Sequence, residues 1–190
     1  MSTSAAVQTA PVVTNGIDVD ALYETVDAVK QTPQIADFRF HVSNRWIGGD
    51  RNRTTVSGFH GACEDHRHAK GPFVMDNAEP PVLLGDGDAP NPVEYVLHAL
   101  AGCLTTTMVY HATAQGIDIE YVTSELEGEL DLQGFLGLDE NVRKGFSVVR
   151  VVMRVKSPAD AETLKSLTQF SPVFDIVSNS LPVEVRVEKI

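Results

Sequence analysis

One segment constrains the fold more than any other, a long apolar helix predicted between Asn91 and Gly116. Asn91 is a suitable N-cap, Pro92 occupies the first helical position, and Glu94 stands three residues after the cap. Gly116 is typical of the residue that follows a helix C-terminus. The central sequence ALAGC is apolar on nearly all sides, so we expect this helix to be buried in a core or an interface.

Alternating segments before this helix predict strands. Residues 37–48 alternate between apolar and polar side chains, which indicates a half-buried strand. Its apolar face carries Phe38, Phe40, Val42 and Trp46. A polar hairpin tip, GGDRNR, leads to a second predicted strand over residues 54–62. Residues 63–91 are interpreted as irregular.

After the helix, residues 120–132 and 146–155 also alternate. The polar face of the first segment is acidic, and that of the second carries Arg150 and Arg154, which predicts cross-strand ion pairs in an antiparallel ladder. A long loop is expected between them. Ser157 and Ser171, each followed by Pro, predict two helix starts, and residues 183–187 predict a final strand. The predicted class is α+β, with a mostly antiparallel sheet around a long buried helix.

The first 35 residues differ from the rest. Residues 1–15 are small and unpatterned, and we expect them to be frayed. A short amphipathic helix follows, capped by Asp18 or Asn15 and ended by Pro33. We therefore expect an N-terminal tail and helical arm over residues 1–35 and one domain over residues 36–190.

Charge and cysteine content exclude several classes of protein. The chain has 26 acidic and 15 basic residues and a net charge of -11, which argues against nucleic acid as a partner because phosphate binding needs a basic face. No apolar run reaches the roughly 18 residues of a membrane helix, and the first residues lack the features of a secretory signal. We expect a cytoplasmic protein with no membrane partner, in which both cysteines are thiols.

The helix carries the motif P-x-E-x-x-x-x-A-x-A-G-C, which ends at Cys103, and the later segment SPVFDIVSNSLPVEV adds to it. Together with the glycine-containing hairpin, these residues resemble the OsmC/Ohr family over roughly residues 36–190. The resemblance implies an intertwined homodimer whose long helices pack between sheets. It also implies that redox-active members reduce organic hydroperoxides with a cysteine of this helix. In those members a nearby Arg and Glu activate the thiolate, and a second cysteine resolves the sulfenic acid.

Three positions carry the implied roles here. Cys103 matches the attacking cysteine, and a thiolate can be oxidised by a peroxide to sulfenic acid. Arg51 is the closest substitute for the Arg that follows the glycine pair, with Arg53 as the alternative; either could instead be a solvated hairpin charge. In the redox-active members the Glu lies ten residues before the attacking cysteine, whereas Glu94 lies nine residues before Cys103. We favour its role as the N3 residue of a capping box, with a catalytic role as the lesser alternative.

Ser171 stands where redox members have their second cysteine. A serine cannot form a disulfide, and Ser171 is interpreted as a helix N-cap. Cys63, in the string HGACEDHRH, could resolve Cys103 if their Cα atoms approach within about 7 Å. A polar surface loop is the plainer interpretation of this string, and a zinc site is a minor one because the spacing matches no closed four-ligand motif.

Two main functions follow as hypotheses, beside a weaker one, which is another thiol-based activity on the same helix, such as thioester or disulfide chemistry. The first is thiol-dependent reduction of organic hydroperoxides through Cys103, with Arg51 and Glu94 as candidate helpers and an external thiol as reductant. The second is a non-enzymatic homodimer of the same fold that binds a small apolar ligand or has a structural role. Neither hypothesis implies a cofactor or a metal.

Overall fold

Eight strands in three separate sheets precede the long helix in the described part of the chain. The computed structural model describes residues 11–190, in a first unit that ends at Tyr95 and a second that begins at Val96. The strands of the first unit are β1 Val13–Thr14, β2 Ile17–Asp18, β3 Arg39–Phe40, β4 Ser43–Gly48, β5 Arg51–Val56, β6 Gly58–Gly61, β7 Glu64–Arg67 and β8 Phe73–Asn77.

The N-terminal arm forms helix α1, Val19–Gln31, as its periodicity predicts. Asp18 is the N-cap, because its side chain accepts a hydrogen bond from the backbone amide of Ala21 at 3.0 Å. A 3-10 turn over Pro33–Ala36 follows the helix. The prediction that residues 1–15 are frayed is wrong for β1, which pairs with β2. Residues 1–10 lie outside the described part of the chain.

Two three-stranded antiparallel sheets follow, in the orders β4-β5-β8 and β3-β6-β7. Each predicted long strand is interrupted, so residues 37–48 form β3 and β4, and residues 54–62 belong to β5 and β6. Arg51 and Arg53 are strand residues of β5 and do not lie in the hairpin tip. Residues 63–91 are not irregular throughout, because they contain β7 and β8.

The prediction of a half-buried strand over residues 37–48 is wrong in its burial. Phe40 is 77% exposed and Trp46 is 74% exposed. Alternation shows which side chains share a face of a strand, but it does not show that the chain itself covers that face.

Helix α2 covers Pro92–Ala114 and crosses from the first unit into the second. It ends as predicted, because Gly116 has a φ of +67° that favours glycine. Among the described residues, no helix is long and apolar enough to cross a membrane.

The second unit continues with β9 Tyr121–Glu129, α3 Leu132–Phe135, β10 Val148–Lys156, α4 Ala161–Leu167 and α5 Pro172–Ser178. Strands β9 and β10 form the predicted antiparallel ladder. Arg150 pairs with Glu129 and Arg154 pairs with Glu125, which confirms the expected cross-strand ion pairs. The core cluster consists of Met108, Ala112, Leu164 and Leu167.

Two predictions for the end of the chain are wrong. Helix α4 is capped by Asp160, not by Ser157, since the Ser157 hydroxyl donates to the carbonyl of Asp118 at 2.6 Å. Residues 183–187 form no strand. Val183, Val185 and Val187 are 75%, 82% and 87% exposed, so their alternating pattern has no pairing strand within the described chain.

Candidate functional site

Cys103 lies in the middle of α2, at the border between a buried and an exposed face of the helix. The buried face carries Leu100, Leu104 and Met108, each at most 3% exposed. Val96 and Tyr110, which share the face of Cys103 at spacings of seven residues, are 40% and 48% exposed. The thiol is free and half-buried, so it is neither sealed in the core nor fully in solvent.

An apolar cavity of about 590 Å³ adjoins the buried face of α2 within the second unit. The walls come from α2, from β10 and from the helices that follow it. They include Leu104, Met108, Val151, Met153, Leu164 and Phe174. A cavity of this size falls in the range of small-molecule sites.

A second cavity, of about 540 Å³, reaches the same helix one and two turns before Cys103, at Leu100 and Val96. Its lining includes one charged side chain, Arg143, from the segment that joins β9 to β10. Arg143 is not among the residues expected at the site, since its segment has no periodic pattern that would place it against α2.

Arg51 lies in the first unit, on β5 opposite Gly48. Its Nη2 contacts Oδ2 of Asp88 at 3.1 Å, and its Nε is buried without a hydrogen-bond partner among the described residues. A buried donor without a partner is costly, so this guanidinium retains capacity to bind one more acceptor.

Arg53, the alternative cation, is held by one carboxylate along the Nε–Nη2 edge of its guanidinium. Its Nε and Nη2 donate to the two oxygens of Asp76 at 2.6 and 2.7 Å. These hydrogen bonds hold the pKa of the Asp76 carboxyl below its usual value and raise the pKa of Arg53. Such a bidentate pair is a strong, geometrically fixed contact.

Glu94 completes the capping box that its position predicts. Its Oε2 accepts from the backbone amide of Asn91 at 2.8 Å, while Oδ1 of Asn91 accepts from the amide of Val93 at 2.9 Å. The Asn91 amide group also donates to Glu79. Glu94 is therefore engaged at the helix start.

The turn before Arg51 is fixed to the loop that leads to α2. Oδ2 of Asp50 accepts from the backbone amide of Glu79 at 2.7 Å, and this hydrogen bond lowers the pKa of Asp50. Gly85 is required at this point, because a Cβ there would lie 2.0 Å from the Glu79 carbonyl oxygen and 2.4 Å from Asp50. The contact fixes the start of β5, where Arg51 stands.

Cys63 occupies the tight turn between β6 and β7 and is exposed. Its φ of +63° is an uncommon left-handed conformation for a residue with a side chain. Among residues 11–190, no group of three or more His, Cys, Asp or Glu side chains is arranged to hold a metal ion.

Ser171 caps α5 as predicted. Its Oγ accepts from the backbone amide of Phe174 at 3.2 Å, and the residue is 1% exposed. The position that resembles a second redox cysteine is thus a buried helix cap.

Comparison with known proteins identifies the class to which this arrangement belongs. The family model described as OsmC-like protein matches residues 85–186, the stretch that contains α2, the β9–β10 ladder, α4 and α5. The chain belongs to the OsmC-like family. No curated protein matches it significantly.

Solved structures of similar fold come from several bacteria. An OsmC-like protein of Mycoplasma pneumoniae has a TM-score of 0.53 at 15% identity, over 75% of this chain and 89% of that one. An organic hydroperoxide resistance protein OsmC of Legionella pneumophila has a TM-score of 0.51 at 19% identity, over 73% and 89%. An osmotic stress induced and detoxification response protein of Psychrobacter arcticus has a TM-score of 0.51 at 18% identity, over 70% of this chain and 83% of that one. At these identities the likeness concerns the fold.

Proposed function

We propose that this protein reduces organic hydroperoxides in a peroxide-stress response, with Cys103 as the attacking thiol. The observation that carries the proposal is a free, half-buried thiol at the end of the family helix motif. The name of the similar Legionella pneumophila protein, organic hydroperoxide resistance protein OsmC, agrees with this chemistry.

The reaction balances as follows. The Cys103 thiolate attacks one peroxide oxygen, so that an S–O bond forms while the O–O bond breaks, and the leaving alkoxide takes up a proton to become an alcohol. Cys103 is then a sulfenic acid. An external thiol condenses with it, releasing water and forming a mixed disulfide, and a second external thiol restores Cys103 by exchange. Two external thiols are oxidised for each hydroperoxide reduced.

Arg51 is the proposed activating cation and Arg53 its alternative. A cation within about 4–6 Å favours the charged form of a thiol. Nε of Arg51 has no hydrogen-bond partner in the described part of the chain, which supports the choice of Arg51, because Arg53 already gives two hydrogen bonds to Asp76. For Glu94 we prefer the role of a helix cap to that of a catalytic group, since its carboxylate accepts a hydrogen bond from the backbone amide of Asn91.

An external reductant is part of the proposal because of Ser171. With a serine at that position, a disulfide between α2 and the start of α5 cannot form. Cys63 is exposed, which leaves it available to exchange with other thiols.

The proposed assembly is a homodimer in the cytoplasm, with a tail and arm over residues 1–35 and the family domain over residues 36–190. Exposed apolar side chains on α2, β4 and the C-terminal segment support a second copy as partner, because single chains seldom leave so many large apolar groups in water. Trp46 and Val187 are examples, at 74% and 87% exposure.

A single-turnover experiment tests the function. The reduced protein is mixed with an alkyl hydroperoxide, and loss of the thiol is followed in wild type, Cys63→Ser and Cys103→Ser, with mass spectrometry to detect sulfenic acid. We expect the fast phase of thiol loss to be alike in wild type and Cys63→Ser and to be absent in Cys103→Ser, whose remaining exposed thiol, Cys63, should react no faster than a free thiol in solution. If Cys103 reacts no faster than a free thiol in solution, the proposal is wrong.

The second candidate function is binding of a small apolar ligand without catalysis. The apolar cavity of about 590 Å³ beside Leu104 and Met108 favours it. In that case the Cys103→Ser variant would bind an apolar fluorescent probe as wild type does, while Cys103 would show no accelerated reaction with hydroperoxides.

A further inference from the structure

The sheet of β3, β6 and β7 has one charged face. Arg39, His60 and Asp65 lie directly opposite one another across the three strands. Arg67 shares this face, since it stands opposite Gly58, two residues from His60. The other face carries Phe40, Phe59 and His66, so the charged residues are gathered on one side.

Arg39 and Arg67 have no ion pair with any described residue, although the chain as a whole is strongly acidic. Five of the nine arginines are bound to carboxylates, namely Arg51, Arg53, Arg150, Arg154 and Arg186. Arg45 and Arg143 also have no ion pair among the described residues, but Arg39 and Arg67 are the two that share one sheet face. Two unpaired guanidinium groups on one small sheet therefore form a local cationic surface.

These residues line an open hollow of about 750 Å³ that lies wholly within the first unit. His41 also lines it. Gly58 contributes no side chain to the floor, and a Cβ there would lie 2.0 Å from the carbonyl oxygen of His66. The close approach of β6 and β7 thus requires glycine at a point between the two arginines, where it leaves space.

The hollow contains one carboxylate, Asp65, whose charge is directed toward a neighbour. Its Oδ1 lies 2.8 Å from Nδ1 of His60. The Asp65 side chain is 92% exposed, so its negative charge opposes an anionic ligand, and the two arginines of the lining outnumber it. Strands lie about 4.8 Å apart, and Arg67 is two residues further along β7 than Asp65, the residue in line with Arg39. The backbones of Arg39 and Arg67 are therefore roughly 12 Å apart.

We infer that this hollow binds a small organic polyanion through Arg39 and Arg67, and that each arginine binds one anionic group of the ligand. A guanidinium group pairs with a phosphate or a carboxylate by two parallel hydrogen bonds, so either kind of anionic group can bind to each arginine. The ligand is a metabolite with at least two such groups. This site does not depend on Cys103 and does not rest on the proposed peroxide chemistry.

Calorimetric titration of the full-length protein with pyrophosphate, with citrate and with acetate tests the inference. We expect saturable binding of pyrophosphate or citrate, and binding of the single-group acetate to be at least about tenfold weaker. The stronger of the two polyanions identifies the ligand as a phosphate or a carboxylate compound. Absence of saturable binding of both below about 10 mM would overturn the inference.

Four variants locate the binding. Arg39→Gln and Arg67→Gln should each weaken it about tenfold or more, because each removes one charged hydrogen-bonding group. Arg45→Gln is the matched control, since Arg45 is exposed on β4 and outside the hollow. Asp65→Asn should tighten binding by removing the one negative charge in the lining.

Equal weakening in Arg45→Gln and in the two hollow variants would show a general charge effect and would contradict the inference. Circular dichroism checks that each variant is folded. Cys103→Ser should bind the polyanion as wild type does, so loss of peroxide reactivity and loss of polyanion binding are distinguishable results.

Discussion

The guanidinium of Arg51 and the carboxylate of Asp88 are paired, with Nη2 and Oδ2 3.1 Å apart. This pair holds Arg51 by Nη2, and Nε has no hydrogen-bond partner within residues 11–190. The neighbouring Arg53 donates from both Nε and Nη2 to the carboxylate of Asp76. Two arginines two residues apart therefore differ in the hydrogen-bonding capacity that remains to them.

This difference predicts unequal effects on the reaction of Cys103 with hydroperoxide. Arg51→Gln should slow the single-turnover oxidation about tenfold or more, because one pKa unit of the thiol corresponds to a tenfold change in thiolate below that pKa. Arg53→Gln, the matched control, should remain within about threefold of wild type. Stopped-flow measurement of thiol loss at several pH values gives both the rate and the thiol pKa. A larger effect of Arg53→Gln would assign the role to Arg53 instead.

Asp76 should contribute stability that depends on pH. Hydrogen bonds from Arg53 lower the pKa of Asp76 in the folded protein, so the stabilisation is present above the unfolded-state pKa, near 3.8. It is lost as pH falls through the lower pKa of the folded state. Urea unfolding should therefore show Asp76→Asn as less stable than wild type at pH 7, with a difference that shrinks below about pH 4.

Asp37→Asn is the control, because Asp37 is exposed and has no ion pair among the described residues. Its unfolding free energy should follow wild type across the same pH range. A gap between Asp76→Asn and wild type that is the same at pH 7 and at acid pH would contradict the role of the Arg53 contact.

Glu94 offers a separation of capping from catalysis. Glu94→Gln keeps an oxygen that can accept from the amide of Asn91, whereas Glu94→Ala removes the 2.8 Å bond. We expect Glu94→Ala to lower the unfolding free energy by about 0.5–1 kcal/mol and Glu94→Gln to change it little. Both variants should oxidise Cys103 at rates close to wild type. A tenfold slower reaction of Glu94→Gln with unchanged stability would make the carboxylate catalytic.

Local signals in the sequence were sufficient to predict most helix starts and to recognise the family. Asp18, Asn91 and Ser171 cap the helices expected of them, because a cap is decided by atoms within three residues. The exception is instructive. Ser157 is followed by Pro, as a helix cap often is, but its hydroxyl donates to the carbonyl of Asp118 on a distant segment. Asp160 is the N-cap of α4 instead.

The antiparallel pairing of β9 with β10 was predicted from charge and alternation, but burial and the pairing of the other alternating segments could not be, because they depend on which surfaces meet. Residues 183–187 alternate as a strand should, but nothing pairs with them in the described chain. The alternation of residues 37–48 likewise did not predict the exposure of Phe40 and Trp46. The ion pair between Arg51 and Asp88 could not be predicted either, since it joins β5 to a loop residue far along the chain.

Ser171 should matter for stability and not for turnover. Ser171→Ala removes the acceptor for the amide of Phe174 and should lower the unfolding free energy by about 1 kcal/mol. Ser166→Ala is the control, because Ser166 is exposed and its hydroxyl donates to Thr163 within α4 without capping a helix. Both should retain the peroxide reaction of wild type. A selective loss of that reaction in Ser171→Ala would give this hydroxyl a part in the chemistry.

The exposed face of α2 predicts that the protein self-associates. Ala99 is exposed on this face, and at Gly102 an added Cβ would meet no atom within 4 Å, so a second helix could approach closely there. Light scattering after size-exclusion chromatography should give twice the 20.6 kDa chain mass. Ala99→Arg should shift the protein toward monomer by placing a charge in the interface. Ala28→Arg, on the exposed surface of α1, should remain dimeric, and a monomeric wild type would refute the proposed assembly.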